Sequence, residues 1–255
     1  MDEIQIPHIE EHKIYKNTFL QHIGVAMTYR KITAKDAPES FEKDIKTFFE
    51  RFLAPLEYDN NFFEKGIFVH ADNKGRVNLA LKSNGSYVSI ERSKYVNFVE
   101  SALPLVTLPK LFAFSVLNIK TLNNLAIRKI NLFPFGATND QQVKEASQTV
   151  YESLLSPDFN SLEITKRMDD NQYVTPVLER WFRYDIYRYQ IKTGIYADRT
   201  LKGRYYLIFD SSVRYDKGMR IAEGSIDRKL IELNDRMYDL FHWSASEQVL
   251  DLMNK

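Results

Sequence analysis

Apolar and polar residues alternate from Phe19 to Tyr29, with Phe19, Ile23, Val25, Met27 and Tyr29 on one face, and this pattern predicts a strand. Asp36-Ala-Pro-Glu39 then carries a helix-start signature: an Asp N-cap, an early Pro and a Glu at N3. Phe41, Ile45, Phe48, Phe49 and Phe52 follow at helical spacing, and Pro55 lies just beyond. Both elements are one-sided, so the helix is expected to pack on the Phe19–Tyr29 strand. Three short strands come next: Ile67 to Ala71, Arg76 to Lys82 and Tyr87 to Glu91. Asp72-Asn-Lys-Gly75 is a turn, and Asn84-Gly85 is read as a two-residue hairpin because both positions tolerate φ > 0. Ser93 is read as the cap of a helix carrying Tyr95, Phe98, Val99 and Ala102, which Pro104 bends or ends.

Phe112 to Leu122 and Leu125 to Phe133 flank Asn123-Asn124 and read as a long hairpin, closed by Pro134 and Gly136. Val143, Ala146, Val150 and Leu154 predict an amphipathic helix with Thr138 or Asn139 at its N-cap. Val177 to Tyr184, Tyr187 to Tyr196 and Tyr205 to Tyr215 read as antiparallel strands rich in aromatics. Ser225 is read as the cap of a helix with Ile226, Leu230, Leu233, Met237, Leu240 and Phe241 on its apolar side, continued from Ser246 to Met253. Strands outnumber crossover helices. The expected class is therefore α+β, a mostly antiparallel sheet with packed helices in two structurally related or juxtaposed halves. The polar stretch 156–170, with Pro157, is the expected connection between an N-terminal half (1–155) and a C-terminal half (171–255).

Composition narrows the function classes. The chain has 255 residues, 44% hydrophobic and 27% charged, which suits a folded protein. Its 17 Phe, 15 Tyr and 2 Trp argue against disorder. With no cysteine there is no disulfide, thiolate nucleophile or cysteine zinc site. The start is acidic, without a basic region leading into an apolar one, so no signal peptide is expected. No apolar run approaches ~18 residues, the length of a membrane span. A cytoplasmic protein without membrane contact is the expectation. A net charge of +1 gives little long-range attraction for a polyanion.

Catalytic and cofactor signatures are sparse. His8-Ile-Glu-Glu-His12 fits the inverted zinc-protease pattern, which needs both imidazoles on one helical turn; here Pro7 precedes it and no helical apolar face accompanies it. It reads better as a polar N-terminal segment. His22 and His70 fall in expected strands and His242 near a helix end, each read as structural. Asp169-Asp170 reads as a solvated loop pair. Phosphate-loop, dinucleotide and nucleophile-elbow motifs do not occur, and the nine glycines are unclustered, so no cofactor is expected.

The most unusual stretch runs from Arg180 to Arg204. Arg180, Arg183, Arg188, Lys192, Arg199, Lys202 and Arg204 interleave with Trp181, Tyr184, Tyr187, Tyr189, Tyr196 and Tyr205. Aromatic faces stack bases while arginines pair phosphates, which is how sheets hold single strands. Arg–aromatic cross-strand pairs also stabilise a sheet with no ligand at all. Arg180, Arg183, Tyr187, Arg188, Tyr189 and Arg204 are the candidate partner-binding or nucleic-acid-binding residues.

Two stretches resemble an uncharacterised, sporadically distributed bacterial family of roughly 250-residue proteins. The first is Tyr95-Val-Asn-Phe98 followed by Phe112 to Phe133, with Ala126-Ile-Arg-Lys-Ile-Asn131. The second is Tyr206-Leu-Ile-Phe-Asp210 followed by Leu233 to Ser244. Lys129 and Met237-Tyr238 depart from the family pattern. The resemblance implies a two-part α+β fold and brings no activity or catalytic residue. The leading expectation is a non-enzymatic protein-interaction component, binding a protein partner or a second copy, with a bacterial defence or conflict system as the setting. The alternative is RNA or single-stranded DNA binding through the Arg/Tyr-rich sheet. A third reading is an enzyme whose residues converge only in three dimensions.

Overall fold

The structure, a computed structural model, describes residues 4–13, 15, 18–52, 62–70, 76–198, 204–221 and 224–255. The chain is α+β. Its elements are β1 (Leu20–Thr28), α1 (Phe41–Phe52), α2 (Phe62–Lys65), β2 (Ile67–His70), β3 (Val77–Lys82), β4 (Gly85–Glu91), α3 (Leu103–Leu111), β5 (Thr121–Leu122) and β6 (Asn124–Gly136). Then follow α4 (Asp140–Leu154), α5 (Pro157–Ser161), β7 (Lys166–Met168), β8 (Val177–Tyr184), β9 (Tyr187–Ala197), β10 (Arg204–Tyr215), β11 (Met219–Arg220), α6 (Ser225–Ser244) and α7 (Glu247–Asn254). Nine strands form one antiparallel sheet in the order β2-β3-β4-β1-β6-β10-β9-β8-β7, and β11 pairs with β5.

The order contains a topological repeat. In the first pass a strand (β1) is followed by a helix, a three-strand meander (β2, β3, β4) and a helix, and the meander's last strand returns beside β1. In the second pass β6 is followed by α4, the meander β8, β9, β10 and α6, and β10 returns beside β6. The contacts divide the chain differently, into a unit of residues 1–21, 128–213 and 234–255 and a unit of residues 22–127 and 214–233. The segment 156–170 lies inside the first of these and supplies α5 and the edge strand β7.

In the second unit, Ile23, Val25 and Met27 of β1 are buried, as are Val88 and Ile90 of β4. Phe41, Ile45, Phe48 and Phe49 of α1 are buried too. The α1 rings meet an aromatic cluster: Phe48 stands edge-on to Phe112 at 5.3 Å, Phe41 lies 5.7 Å from Phe62, and Phe62 is 5.5 Å from Phe112. In the first unit, Ile191, Leu207, Phe209, Val143, Phe159, Met237, Leu240 and Val249 form the core. Two serines clamp helix ends there. Ser156 Oγ donates to the Trp243 carbonyl at 2.6 Å and accepts from the Phe159 N–H, so it caps α5 while satisfying an orphan carbonyl of α6. Ser246 does the same in reverse, donating to the Ser153 carbonyl of α4 at 2.6 Å and capping α7. The run from Ser246 is thus a separate helix rather than a continuation of α6.

The structure corrects several local expectations. Asp36 does not cap α1; its carboxylate accepts from the Thr33 N–H and hydroxyl, bonds that hold its pKa below the ordinary range, and the helix begins at Phe41. The β3–β4 loop is Ser83-Asn84, because Gly85 already pairs with Lys82 on one side and with Thr28 on the other. Gly85 is there for space rather than φ: a Cβ would sit 2.7 Å from the Met27 carbonyl oxygen. Ser93 lies in a single tight turn, and Asn97 caps the following helix by accepting from the Glu100 N–H at 2.9 Å. Ser225 is the first residue of α6, and its hydroxyl donates to the Arg220 carbonyl at 3.2 Å.

The largest correction concerns 112–122. Phe112–Val116 is not a strand but the last turn of a helix that runs from Phe98 to Val116, with α3 as its middle and wider i→i−5 turns at both ends. Pro104 and Pro109 each remove one N–H from the ladder, and the helix continues through both. Phe112, Ala113 and Val116 are buried at helical spacing, while only Thr121–Leu122 is extended. Among the described residues this helix is long and apolar enough to cross a membrane, although seven of its residues, from Phe98 to Val116, are buried in the unit. The expected turn at 72–75, Pro55, Arg199 and Lys202 lie outside the described residues.

Candidate functional site

The six residues singled out in the sequence do not share a surface. β8 and β9 form a hairpin around Asp185-Ile186, with Asp185 at φ 57°. Its register pairs Arg183 with Arg188, Trp181 with Gln190 and Glu179 with Lys192 on one face of the sheet. The other face carries Arg180, Phe182 and Tyr184 on β8 opposite Ile191, Tyr189 and Tyr187 on β9. Tyr187 and Tyr189 are fully buried, and Tyr189 stacks on Phe182 at 5.0 Å. Burial pushes the Tyr189 phenol pKa up. These two tyrosines are core residues with no face to offer a base.

Arg180 is also inside, 4% exposed, with its guanidinium 4.8 Å over the Phe159 ring and Nη1 donating to Thr193 Oγ1 at 3.3 Å. Arg183, Arg188 and Trp181 remain on the open face, where Trp181 is 38% exposed. Arg204, the first residue of β10, is exposed. Tyr196 and Tyr206 lie near each other, 6.3 Å between ring centres. Nearby charges on this face are internally matched: Arg128 forms a bidentate pair with Asp210 at 2.6–2.7 Å, and Lys192 stands 3.7 Å from Glu179.

A second grouping, absent from the sequence expectations, surrounds the later turns of α6. His8 and Ile9 both reach Asp239, a carboxylate 1% exposed: His8 Nδ1 lies 3.0 Å from Oδ2 and the Ile9 N–H donates to Oδ1 at 3.0 Å. His12 stacks on Tyr238 at 3.9 Å, and Tyr15 OH meets His242 Nε2 at 2.8 Å. Burial raises the Asp235 pKa, and burial together with Lys13 lowers that of His242. Lys129, on β6, donates to Asn234 at 2.8 Å, and burial brings its pKa down to about 8. His8 and His12 therefore tie an extended N-terminal segment to α6. They are not on a helix, they face different acidic partners, and no group fit to hold a metal ion occurs among the described residues. The cluster was invisible in sequence because Asp239 sits among polar and apolar helix positions with nothing to mark it as the anchor of a segment over 200 residues earlier.

A third feature is apolar. Along the helix Phe98–Val116, Val99, Leu103, Thr107, Leu111 and Phe114 follow at helical spacing on the side away from the buried Ala102, Val106, Pro109 and Ala113. Val99 is 56% exposed and Phe114 52%, and Val96, just before the helix, is 76% exposed. Lys110, the sole cation of the helix, is turned to Asp227 at 2.9 Å. No protein-family model, curated protein or solved structure matches the chain. The family resemblance therefore rests on the residues that suggested it.

Proposed function

We propose that the chain is a protein-interaction component that works by contact rather than by catalysis, and that its contact surface is the apolar stripe of the helix Phe98–Val116. The observation carrying this reading is the exposure of Val96 and Val99 at the start of the helix and of Phe114 near its end, joined along one side by the part-exposed Leu103 and Leu111. Clustered large apolar side chains left in water mark interaction sites far more often than scattered single ones do. With Lys110 held by Asp227, only Glu100 brings a charge to the stripe. A stripe along one helix is self-complementary when two copies meet antiparallel about a two-fold axis, the commonest closed assembly. The partner in this reading is a second copy of the chain. The cytoplasmic location and the defence-system setting belong to the same proposal; the setting rests on the family resemblance alone.

Light scattering of the purified chain tests it. The expected result is a dimer that Val99→Asp with Phe114→Asp converts to a folded monomer, both positions being exposed. Association with lipid vesicles in place of dimerisation, abolished by the same pair, would replace the protein partner with a membrane.

A second reading is supported by the open sheet face, where Arg183, Arg188, Arg204 and Trp181 remain accessible to a single strand. If it holds, Arg183→Gln, Arg188→Gln and Arg204→Gln together abolish oligonucleotide binding, and each lost phosphate contact reduces the log–log salt slope by about 0.7. Tyr187 and Tyr189, being buried, supply no stacking in that reading.

A further inference from the structure

In the first unit a cleft of about 290 Å³ opens beside α4, and its ionisable lining is of one sign. Lys144 comes from α4 and Arg167 from the edge strand β7. Both are exposed, and among the described residues neither stands within ion-pair distance of a carboxylate. Three hydroxyls line it as well, Ser147, Tyr151 and Thr175, of which Ser147 already donates to the Lys144 carbonyl at 2.9 Å. The Tyr151 hydroxyl lies 3.5 Å from Thr175 Oγ1, which accepts from the Ile195 N–H at 3.0 Å and so has its place fixed by the sheet. The remaining wall is apolar, formed by Val174, Pro176 and Leu178, and among the described residues no carboxylate lines the cleft.

A third cation, outside the lining itself, shares one face of β8 with Leu178. Arg180 is nine-tenths or more buried, and no carboxylate neutralises it among the described residues. Its guanidinium does not extend straight off its own register position. It reaches along the sheet to Thr193, the residue paired directly opposite Leu178, and so moves toward the cleft. Its Nε has no acceptor, and Tyr151 is close enough to interact with its charge. A buried guanidinium compensated, among the described residues, by a hydroxyl and a ring is costly to keep. The arrangement is one that a docked anion would relieve.

We propose that this cleft binds a small phosphate monoester. Lys144 and Arg167 hold the phosphate, and the Tyr151 hydroxyl, held only by its long contact to Thr175, turns to donate to one of its oxygens. Arg180 adds charge from outside the lining, and the apolar wall receives the ester's organic body. The volume sits at the low end of ligand-binding clefts, which suits a compact ligand. The reading is independent of self-association, since the apolar stripe belongs to the other unit.

Isothermal titration of the full chain with phenyl phosphate at low ionic strength tests it, with inorganic phosphate and benzoate as parallel arms. The expected order of affinity is phenyl phosphate, then phosphate, then benzoate, because only the first offers both a dianion and an apolar ring. Binding should weaken on adding salt. Lys144→Gln with Arg167→Gln should lose about tenfold or more in affinity, since charge-assisted contacts dominate, with an unchanged melting temperature because both side chains are exposed. Tyr151→Phe should lose several-fold, while Lys94→Gln, an exposed lysine of the other unit, should change nothing. Absence of heat with millimolar phenyl phosphate, or equal affinity in the Lys144→Gln, Arg167→Gln variant, would overturn the proposal. Benzoate binding as tightly as phenyl phosphate would overturn the phosphate assignment.

Discussion

Replacing Lys129 by Met tests the electrostatics of the first unit at a lysine whose charge burial disfavours. The ammonium donates to Asn234, and burial brings its pKa down from 10.5 to about 8, partly opposed by Asp235. In the unfolded chain the lysine regains its ordinary value. Between about pH 8 and pH 10.5 the unfolded chain therefore holds a proton that the folded chain has released. The state that binds more protons loses ground as pH rises, so wild-type stability increases across that window. Below it both states are charged and the cost of burying the cation is fully felt. A fall from 10.5 to about 8 corresponds to about 3 kcal/mol, at about 1.4 kcal/mol per tenfold. Methionine keeps most of the stem's volume and removes the charge, at the loss of one charged hydrogen bond worth about 1.5–3 kcal/mol. At pH 7 the variant should be at least as stable as wild type. By pH 10.5 wild type should have gained on it by up to about 3 kcal/mol. Urea melts of both proteins through this range measure the difference, in which the titrating tyrosines common to both cancel. A difference that stays flat from pH 7 to pH 10.5 would show that the ammonium is solvated in the folded protein and would refute the reasoning.

Two further predictions concern packing. Phe48→Ala removes a ring that is 5% exposed and stands edge-on to Phe49 and Phe112; it should cost about 3–5 kcal/mol in a denaturant melt, and a loss below about 1 kcal/mol would mean that the site collapses freely or that the ring faces solvent. Ser156→Ala removes both the cap of α5 and the bond to the Trp243 carbonyl, and should cost about 1–2 kcal/mol; hydrogen exchange should show the loss at the α5 cap and the end of α6, and uniform protection would contradict the clamp.

Much of the fold was legible because period and turn chemistry agreed. β8, β9 and β10 are rich in aromatic and β-branched residues, and their bounds match the expected segments almost residue for residue. Thr138 or Asn139 as the cap of α4 followed from their place before an amphipathic run, and the structure selects Asn139. Phe112–Val116 was not legible, since Phe-Ala-Phe-Ser-Val has strand propensity, and the burial that holds it helical comes from Phe48 and Phe62, distant in sequence. The Arg/Tyr-rich stretch was legible as a hairpin but not as two faces. Only the register around Asp185-Ile186 shows that Tyr187 and Tyr189 share a face with the buried Arg180, while Arg183 and Arg188 share the opposite one. Single-residue chemistry was least visible. Asp36 matched a cap motif yet found a nearer partner in Thr33. Asp239 matched no motif and anchors the N-terminal segment.

Sedimentation equilibrium of the intact chain over a range of micromolar concentrations tests the proposed self-association most directly. The account predicts an apparent mass that rises from the 30.0 kDa of one chain toward twice that value. It also predicts that Val99→Asp with Phe114→Asp holds the mass at 30.0 kDa while circular dichroism and melting temperature are unchanged. A wild-type mass that stays at 30.0 kDa at every concentration, or a dimer that survives both aspartates, would contradict it.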